Sequence, residues 1–211
     1  MLIPYDCPSE IPFSLGTFVM PIQYVNRKGD TYFLHEGKTK TGKPMWFFSR
    51  KPEGKLAQAI PAGYEIYENH NAQVFLRTIV PMLVTQEEIE TVKAAMRTLA
   101  KLPYFLVEAK SDSIVVYVAD QGTDFLEQTV ASKFGITDRE ELATAMQGYL
   151  TYLPMMRFSL VDEKRRRFTA ERWCFLGSID DWFPLRGSSD LSTLVKKFAP
   201  HLSKESFYEL M

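Results

Sequence analysis

Over the first eighty residues, apolar and polar side chains alternate in short runs that proline and glycine interrupt. Such alternation is typical of strands, in which successive side chains point to opposite faces, and no segment here repeats at helical spacing. The pattern predicts strands at 18–26, 32–35, 45–49, 64–68 and 73–78. Residues 1–80 are therefore predicted to form a mainly antiparallel β region.

After residue 81 the hydrophobic period changes to that of helices. Thr85 and Glu88 form a capping-box pattern, in which each side chain satisfies a free amide at the start of a helix. Thr137 and Glu140 repeat the pattern and predict the start of a later helix, which follows one that Thr123 can cap. The helix after Thr85 is predicted to be amphipathic because apolar residues recur at helical spacing, at Ile89, Val92, Met96 and Leu99.

Two hairpins alternate with these helices in the second part of the chain. The first is predicted from strands at 104–109 and 114–119, and the second from 156–161 and 168–176. Residues 177–184 are interpreted as a turn or the start of a helix, and short helices are predicted at 191–199 and 203–210. This order favours antiparallel pairing over the alternation of a doubly wound sheet.

The predicted fold class is consequently α+β, with an N-terminal antiparallel β region followed by hairpins packed with amphipathic helices. The amino-acid composition and the spacing of apolar residues both change near residues 80–85. The chain therefore divides into a β region, 1–80, and an α+β region, 81–211. A single continuous domain is the alternative for a chain of 211 residues.

Bulk composition limits the classes of protein to consider. Hydrophobic residues make up 45% and charged residues 24%, as in ordinary folded proteins, and the net charge is -1. Cys7 and Cys174 have no disulfide or zinc-binding spacing, which indicates a reducing compartment. No apolar run approaches the roughly 20 residues that cross a bilayer. We therefore expect a soluble cytoplasmic protein with no membrane partner.

Known cofactor and metal motifs are missing from the sequence. It contains no P-loop, dinucleotide-binding fingerprint, nucleophile elbow or kinase element. The three histidines, His35, His70 and His201, have no paired-ligand spacing. Neither a cofactor nor a metal site is predicted, and oligomeric state is left open.

A basic hairpin carries the first functional hypothesis. Between Arg27 and Lys55 there are eight basic and three acidic residues, a local excess of five positive charges. Lys38, Lys40 and Lys43 lie on the predicted turn, and Trp46 follows on the next strand. Lysines neutralise phosphates and an indole stacks on unpaired bases, so the hairpin could contact an anionic partner such as nucleic acid. Lysines that only keep a hairpin soluble are the alternative interpretation.

A second basic turn lies in the later hairpin. Arg165, Arg166 and Arg167 follow Lys164 there, and they would extend the basic surface if both turns shared one face. Asp162 and Glu163 precede the run, so partial neutralisation on a solvated turn is the alternative.

Glu108, Ala109 and Lys110 end an apolar strand and carry the hypothesis of an enzyme. The E-x-K pattern resembles that of restriction-endonuclease-like nucleases. The resemblance covers one strand, and it implies that Glu108 shares a divalent cation with a second carboxylate while Lys110 orients the attacking water. The element upstream is a predicted helix, so the second carboxylate would be Asp112, Asp120 or Asp124. A surface ion pair between Glu108 and Lys110 explains the same residues.

A protein-interaction or structural module is the third hypothesis. Its candidate surface is an apolar patch formed by Trp46, Phe47 and Phe48. Because no complete catalytic constellation is visible, the sequence favours a non-enzymatic binding protein, with nucleic acid as the favoured partner.

Overall fold

The structure is a computed structural model, and it describes residues 20–120, 123–176, 179–202 and 204–210. Antiparallel sheets and helices both occur, so the predicted α+β class is confirmed. The strands are β1 Gln23–Val25, β2 Thr31–Lys38, β3 Pro44–Ser49, β4 Tyr64–Glu68, β5 Val74–Thr78, β6 Phe105–Lys110, β7 Ser113–Ala119, β8 Tyr152–Asp162, β9 Arg167–Leu176 and β10 Ile179–Ser189. The helices are α1 Gln86–Thr98, α2 Thr123–Phe134, α3 Arg139–Met146 and α4 Leu191–Phe198, with 3-10 turns at Ala199–His201 and Glu205–Phe207.

The N-terminal strands form two small antiparallel units. β1, β2 and β3 make a three-stranded sheet, and β4 and β5 make a separate hairpin. The predicted strand at 64–68 has the observed bounds of β4. The predicted strand at 18–26 is shorter in the structure, where β1 begins at Gln23, and its residues 18 and 19 lie outside the described residues, as does Cys7.

The last five strands form one antiparallel sheet in which spatial order follows chain order, β6 to β10. The interpretation of 177–184 as a turn or helix start was wrong from Ile179 onward, because β10 begins there and pairs with β9 along most of its length. Pro184 and Gly187 lower the strand propensity of this segment. It is nevertheless a strand at the edge of the sheet, the position in which proline is tolerated.

Helices cover both faces of the five-stranded sheet. Alternate residues of β7 enter different cores: Ile114 and Val116 pack with buried residues of α1 and α4, whereas Val115 and Tyr117 pack with α2 and α3. This alternation follows from the pleat of a strand that is buried on both sides. The second core is the one that faces the polar residues described below.

Helix caps agree with the sequence at one of two positions. Thr85 accepts a hydrogen bond from the Glu88 amide while the Glu88 carboxylate accepts one from the Thr85 amide, which confirms the predicted capping box. The box predicted at Thr137 was wrong, because Asp138 is the N-cap of α3 and accepts from the amides of Glu140 and Glu141. An aspartate one residue later competes successfully for the same free amides.

Within the described residues, no helix has the length and apolar character needed to cross a bilayer. Cys174 is a free, buried cysteine in β9.

Candidate nucleic-acid interface

The basic hairpin, defined as β2, β3 and residues 39–43 between them, ends in an ordered turn. Two backbone hydrogen bonds close it: the Thr39 amide donates to the Lys43 carbonyl at 2.9 Å, and the Gly42 amide donates to the Thr39 carbonyl at 2.9 Å. Gly42 has a φ of 81°, a conformation that glycine adopts without steric cost. The turn holds Lys40 and Lys43 on the surface next to Lys38, the last residue of β2.

Neighbouring carboxylates neutralise only part of the local positive charge. Lys55 lies 2.6 Å from a carboxylate oxygen of Glu36, and Arg50 lies 3.6 Å from one of Asp30. Among the described residues, no carboxylate lies within 4.0 Å of the ammonium groups of the three turn lysines, Lys38, Lys40 and Lys43. The basic hairpin therefore presents three uncompensated charges at one end.

A concave space of about 390 Å³ lies at the end of the basic hairpin, and Lys38 is the one turn lysine that lines it. Trp46 lines it, half-buried, with its ring 6.4 Å from that of Tyr64. Trp46 stands directly opposite Glu36 in the pairing of β2 with β3. The remaining lining residues are Gly37, Lys38, Pro44 and Lys55. Aromatic, cationic and anionic groups thus meet in one concavity, which we call the Trp46 pocket.

Phe47 and Phe48, which follow Trp46 in β3, lie on opposite faces of the strand. Phe47 points to the opposite face of β3, where it is 43% exposed and stacks on His35 with ring centres 5.1 Å apart. Phe48 is half-buried on the face of Trp46. The three aromatic residues therefore divide between two faces of the strand and do not form one apolar patch.

The second basic turn is held by contacts within the protein. Nε and Nη2 of the Arg166 guanidinium donate to the two oxygens of the Glu88 carboxylate, at 3.0 and 2.5 Å, and Arg167 donates to the Ser188 carbonyl. Arg165 keeps an 85% exposed side chain, 4.0 Å from Asp162. No described hydrogen bond or ion pair joins this turn to the basic hairpin. Of the three arginines, Arg165 is the one whose guanidinium points into solvent.

Glu108, the centre of the enzyme hypothesis, lies in a contact between the β4–β5 hairpin and the five-stranded sheet. The Tyr67 hydroxyl donates to one oxygen of the Glu108 carboxylate, and the other oxygen is buried without a hydrogen bond among the described residues. Lys110 is exposed, and no described ion pair joins it to Glu108. Groups of three or more histidine, cysteine or acidic side chains that could hold a metal ion are not found in the described part of the chain.

His70 lies beside this carboxylate at the tip of the β4–β5 hairpin. The Asn69 side chain accepts hydrogen bonds from the Asn71 and Gln73 amides, which orders the turn that carries His70. The imidazole stacks on Tyr117 of β7, with ring centres 4.0 Å apart and planes 15° apart. We call the contact formed by Arg27, Tyr67, His70, Glu108 and Tyr117 the polar seam.

Arg27 completes the polar seam from the loop after β1. Its guanidinium donates to the His70 carbonyl and lies 3.4 Å from the Glu68 carboxylate, which also accepts from Tyr24 at 3.0 Å. The Tyr152 amide donates to the Asn71 side chain at 3.1 Å. The N-terminal strands therefore dock on the sheet through hydrogen bonds and through the stack of His70 on Tyr117.

Burial is the largest cause of the pKa shifts in the polar seam. It raises the pKa of Tyr67 and of Tyr117, and the negative charge of Glu108 raises both further. Burial lowers the pKa of His70, an effect that Lys110 and Arg27 reinforce and Glu108 opposes. Both phenols are thus protonated and the imidazole neutral at pH 7. The protonated Tyr67 hydroxyl is therefore able to donate its hydrogen bond to the Glu108 carboxylate.

Comparison with known proteins finds no family model, no curated protein and no solved structure that matches this chain. Functional inference therefore depends on the geometry of the two sites. The polar seam was not predicted from the sequence, because Tyr67 and Glu108 are 41 residues apart and no local pattern joins them.

Proposed function

We propose that this protein binds single-stranded nucleic acid through the basic hairpin, with Lys38, Lys40 and Lys43 at phosphates and Trp46 stacked on an unpaired base. The observation that carries the proposal is the Trp46 pocket, because it places an indole and the uncompensated Lys38 in one concavity, next to the turn that carries Lys40 and Lys43. Its volume of about 390 Å³ lies within the roughly 300–1,000 Å³ of small-molecule sites.

An unpaired strand fits this surface better than a duplex. A base offers its ring face to an aromatic side chain only when it is unstacked, and such stacking contributes about 1–3 kcal/mol per base. The whole molecule has a net charge of -1, so long-range attraction to phosphate is weak. Binding thus depends on the local cluster, and Arg165 is the arginine of the second turn most available to support it.

The salt dependence of oligonucleotide binding tests whether the turn lysines contact phosphates. We would measure the anisotropy of a labelled oligonucleotide of about 12 nucleotides, within the range of single-strand site sizes. Three phosphate contacts predict that log K falls with log salt with a slope of about -2, or about 20-fold between roughly 50 and 200 mM. Replacing Lys38, Lys40 and Lys43 together with Gln should reduce the slope to near zero.

A matched triple variant controls for total charge. Lys101, Lys133 and Lys196 are exposed lysines in the second part of the chain, and replacing them with Gln changes the net charge equally. This variant should keep the wild-type slope, whereas Trp46→Leu should keep the slope and weaken binding about tenfold or more. Equal slopes in the two triple variants would refute the proposal. The nuclease alternative is tested by incubating the oligonucleotide with the protein and Mg²⁺. Shortening of the oligonucleotide by the wild type, but not by Glu108→Gln, would favour that alternative.

A further inference from the structure

The Trp46 pocket contains one carboxylate, and its position indicates which base the pocket selects. Resting on the proposed function, we propose that the pocket binds guanine, with Trp46 stacked on the ring and Glu36 accepting hydrogen bonds from the Watson–Crick edge. A carboxylate is an unexpected group in a site for a polyanion, since it repels phosphate. Its presence is explained if it contacts a base.

Backbone pairing fixes the separation of the two side chains. Glu36 and Trp46 are directly opposed in antiparallel strands, so they lie on one face with Cβ atoms about 4.5–5.5 Å apart. A ring stacked on the indole therefore brings its edge toward the carboxylate. Tyr64 packs against Trp46 from β4 and limits the positions available to the indole.

Lys55 orients the carboxylate without enclosing it. Its ammonium lies 2.6 Å from one Glu36 oxygen, while the other oxygen has no described partner. The Glu36 side chain is 36% exposed and that of Lys55 is 77% exposed, so both remain accessible to a ligand. A charge-assisted pair of this kind restricts the Glu36 rotamer and leaves acceptor capacity open.

The chemistry of a carboxylate discriminates among bases. An ionised carboxylate only accepts hydrogen bonds. Guanine presents two adjacent donors, N1–H and the N2 amino group, which match the two carboxylate oxygens. Adenine and cytosine present a single amino group on that edge, and thymine presents carbonyl oxygens on both sides of one N–H. Unpaired bases are read on this edge in single-stranded recognition.

Oligothymidines of about 12 nucleotides that carry one central guanine, hypoxanthine, adenine or thymine test the inference. We expect guanine to bind about tenfold more tightly than thymine, the scale of one bidentate base contact. Hypoxanthine keeps N1–H and lacks the amino group, so it should lose most of this preference. Glu36→Gln should lose most of the guanine preference, because a carboxamide offers one acceptor oxygen in place of two.

Glu53→Gln is the matched control, because Glu53 is an exposed acidic residue near the same hairpin and has no described ion pair. It should keep the guanine preference. Salt-dependent binding with no difference among the four bases would overturn this inference and leave the proposed function intact. A guanine preference that survives in Glu36→Gln would overturn it as well. Absence of binding to all four would refute both.

Discussion

Tyr67→Phe removes one hydroxyl from the polar seam and leaves the ring in place. The hydroxyl donates to Glu108, whose second oxygen is buried without a hydrogen bond among the described residues. In the variant the carboxylate would lose its described donor while remaining within the seam. The contact between the ring and Arg77, 4.3 Å from the guanidinium carbon to the ring centre, does not involve the hydroxyl and is retained.

The expected loss is about 2 kcal/mol in the free energy of unfolding, because a hydrogen bond to a charged group contributes roughly 1.5–3 kcal/mol. For a chain of 211 residues this corresponds to a decrease in Tm of about 4–8 °C. Adding Glu108→Met should recover part of the loss, since replacing both partners with apolar groups removes the unsatisfied acceptor.

Urea denaturation of the wild type and variants measures the loss directly. Tyr64→Phe is the matched control: Tyr64 belongs to the same hairpin, and its hydroxyl has no described hydrogen bond. The control should change stability by less than about 0.5 kcal/mol. Amide exchange adds a local measurement, and it should accelerate in the β4–β5 hairpin of Tyr67→Phe. Equal stability of the two variants, with unchanged exchange in the hairpin, would refute the role assigned to the seam.

Two further predictions concern pH and the second basic turn. Burial lowers the pKa of His70 in the fold, so its neutral ring contributes stability that is fully present above the unfolded value of about 6.5 and is lost as pH falls through the lower folded pKa. His70→Asn should make the urea midpoint depend less on pH below about 6.5, and parallel wild-type and His70→Asn profiles would contradict the prediction. Arg166→Gln and Glu88→Gln should show a coupling energy of about 1 kcal/mol in a double-mutant cycle of unfolding free energies, and additive losses would show that their ion pair contributes nothing.

Features made by residues close in sequence could be predicted. The basic hairpin depends on two consecutive strands and their turn, so the positions of Lys38 and Trp46 follow from alternation and turn propensity alone. The capping box at Thr85 is equally local. β10 could not be predicted in this way, since a strand that contains Pro184 is stabilised by its pairing with β9 and not by its own propensity.

Long-range pairing changes which charges are available to a partner, and the sequence could not show this. Arg166 looked equivalent to Lys40 as an exposed basic residue, yet Glu88 binds it from 78 residues away. That pair keeps the pKa of Glu88 low: burial acts to raise it, and hydrogen bonds from Arg166 and Thr85 outweigh burial. A phosphate at Arg166 would have to displace a carboxylate that also caps α1, a cost that does not arise at Lys40. For this reason we assign the proposed interface to the basic hairpin, where Lys38, Lys40 and Lys43 have no carboxylate within 4.0 Å among the described residues.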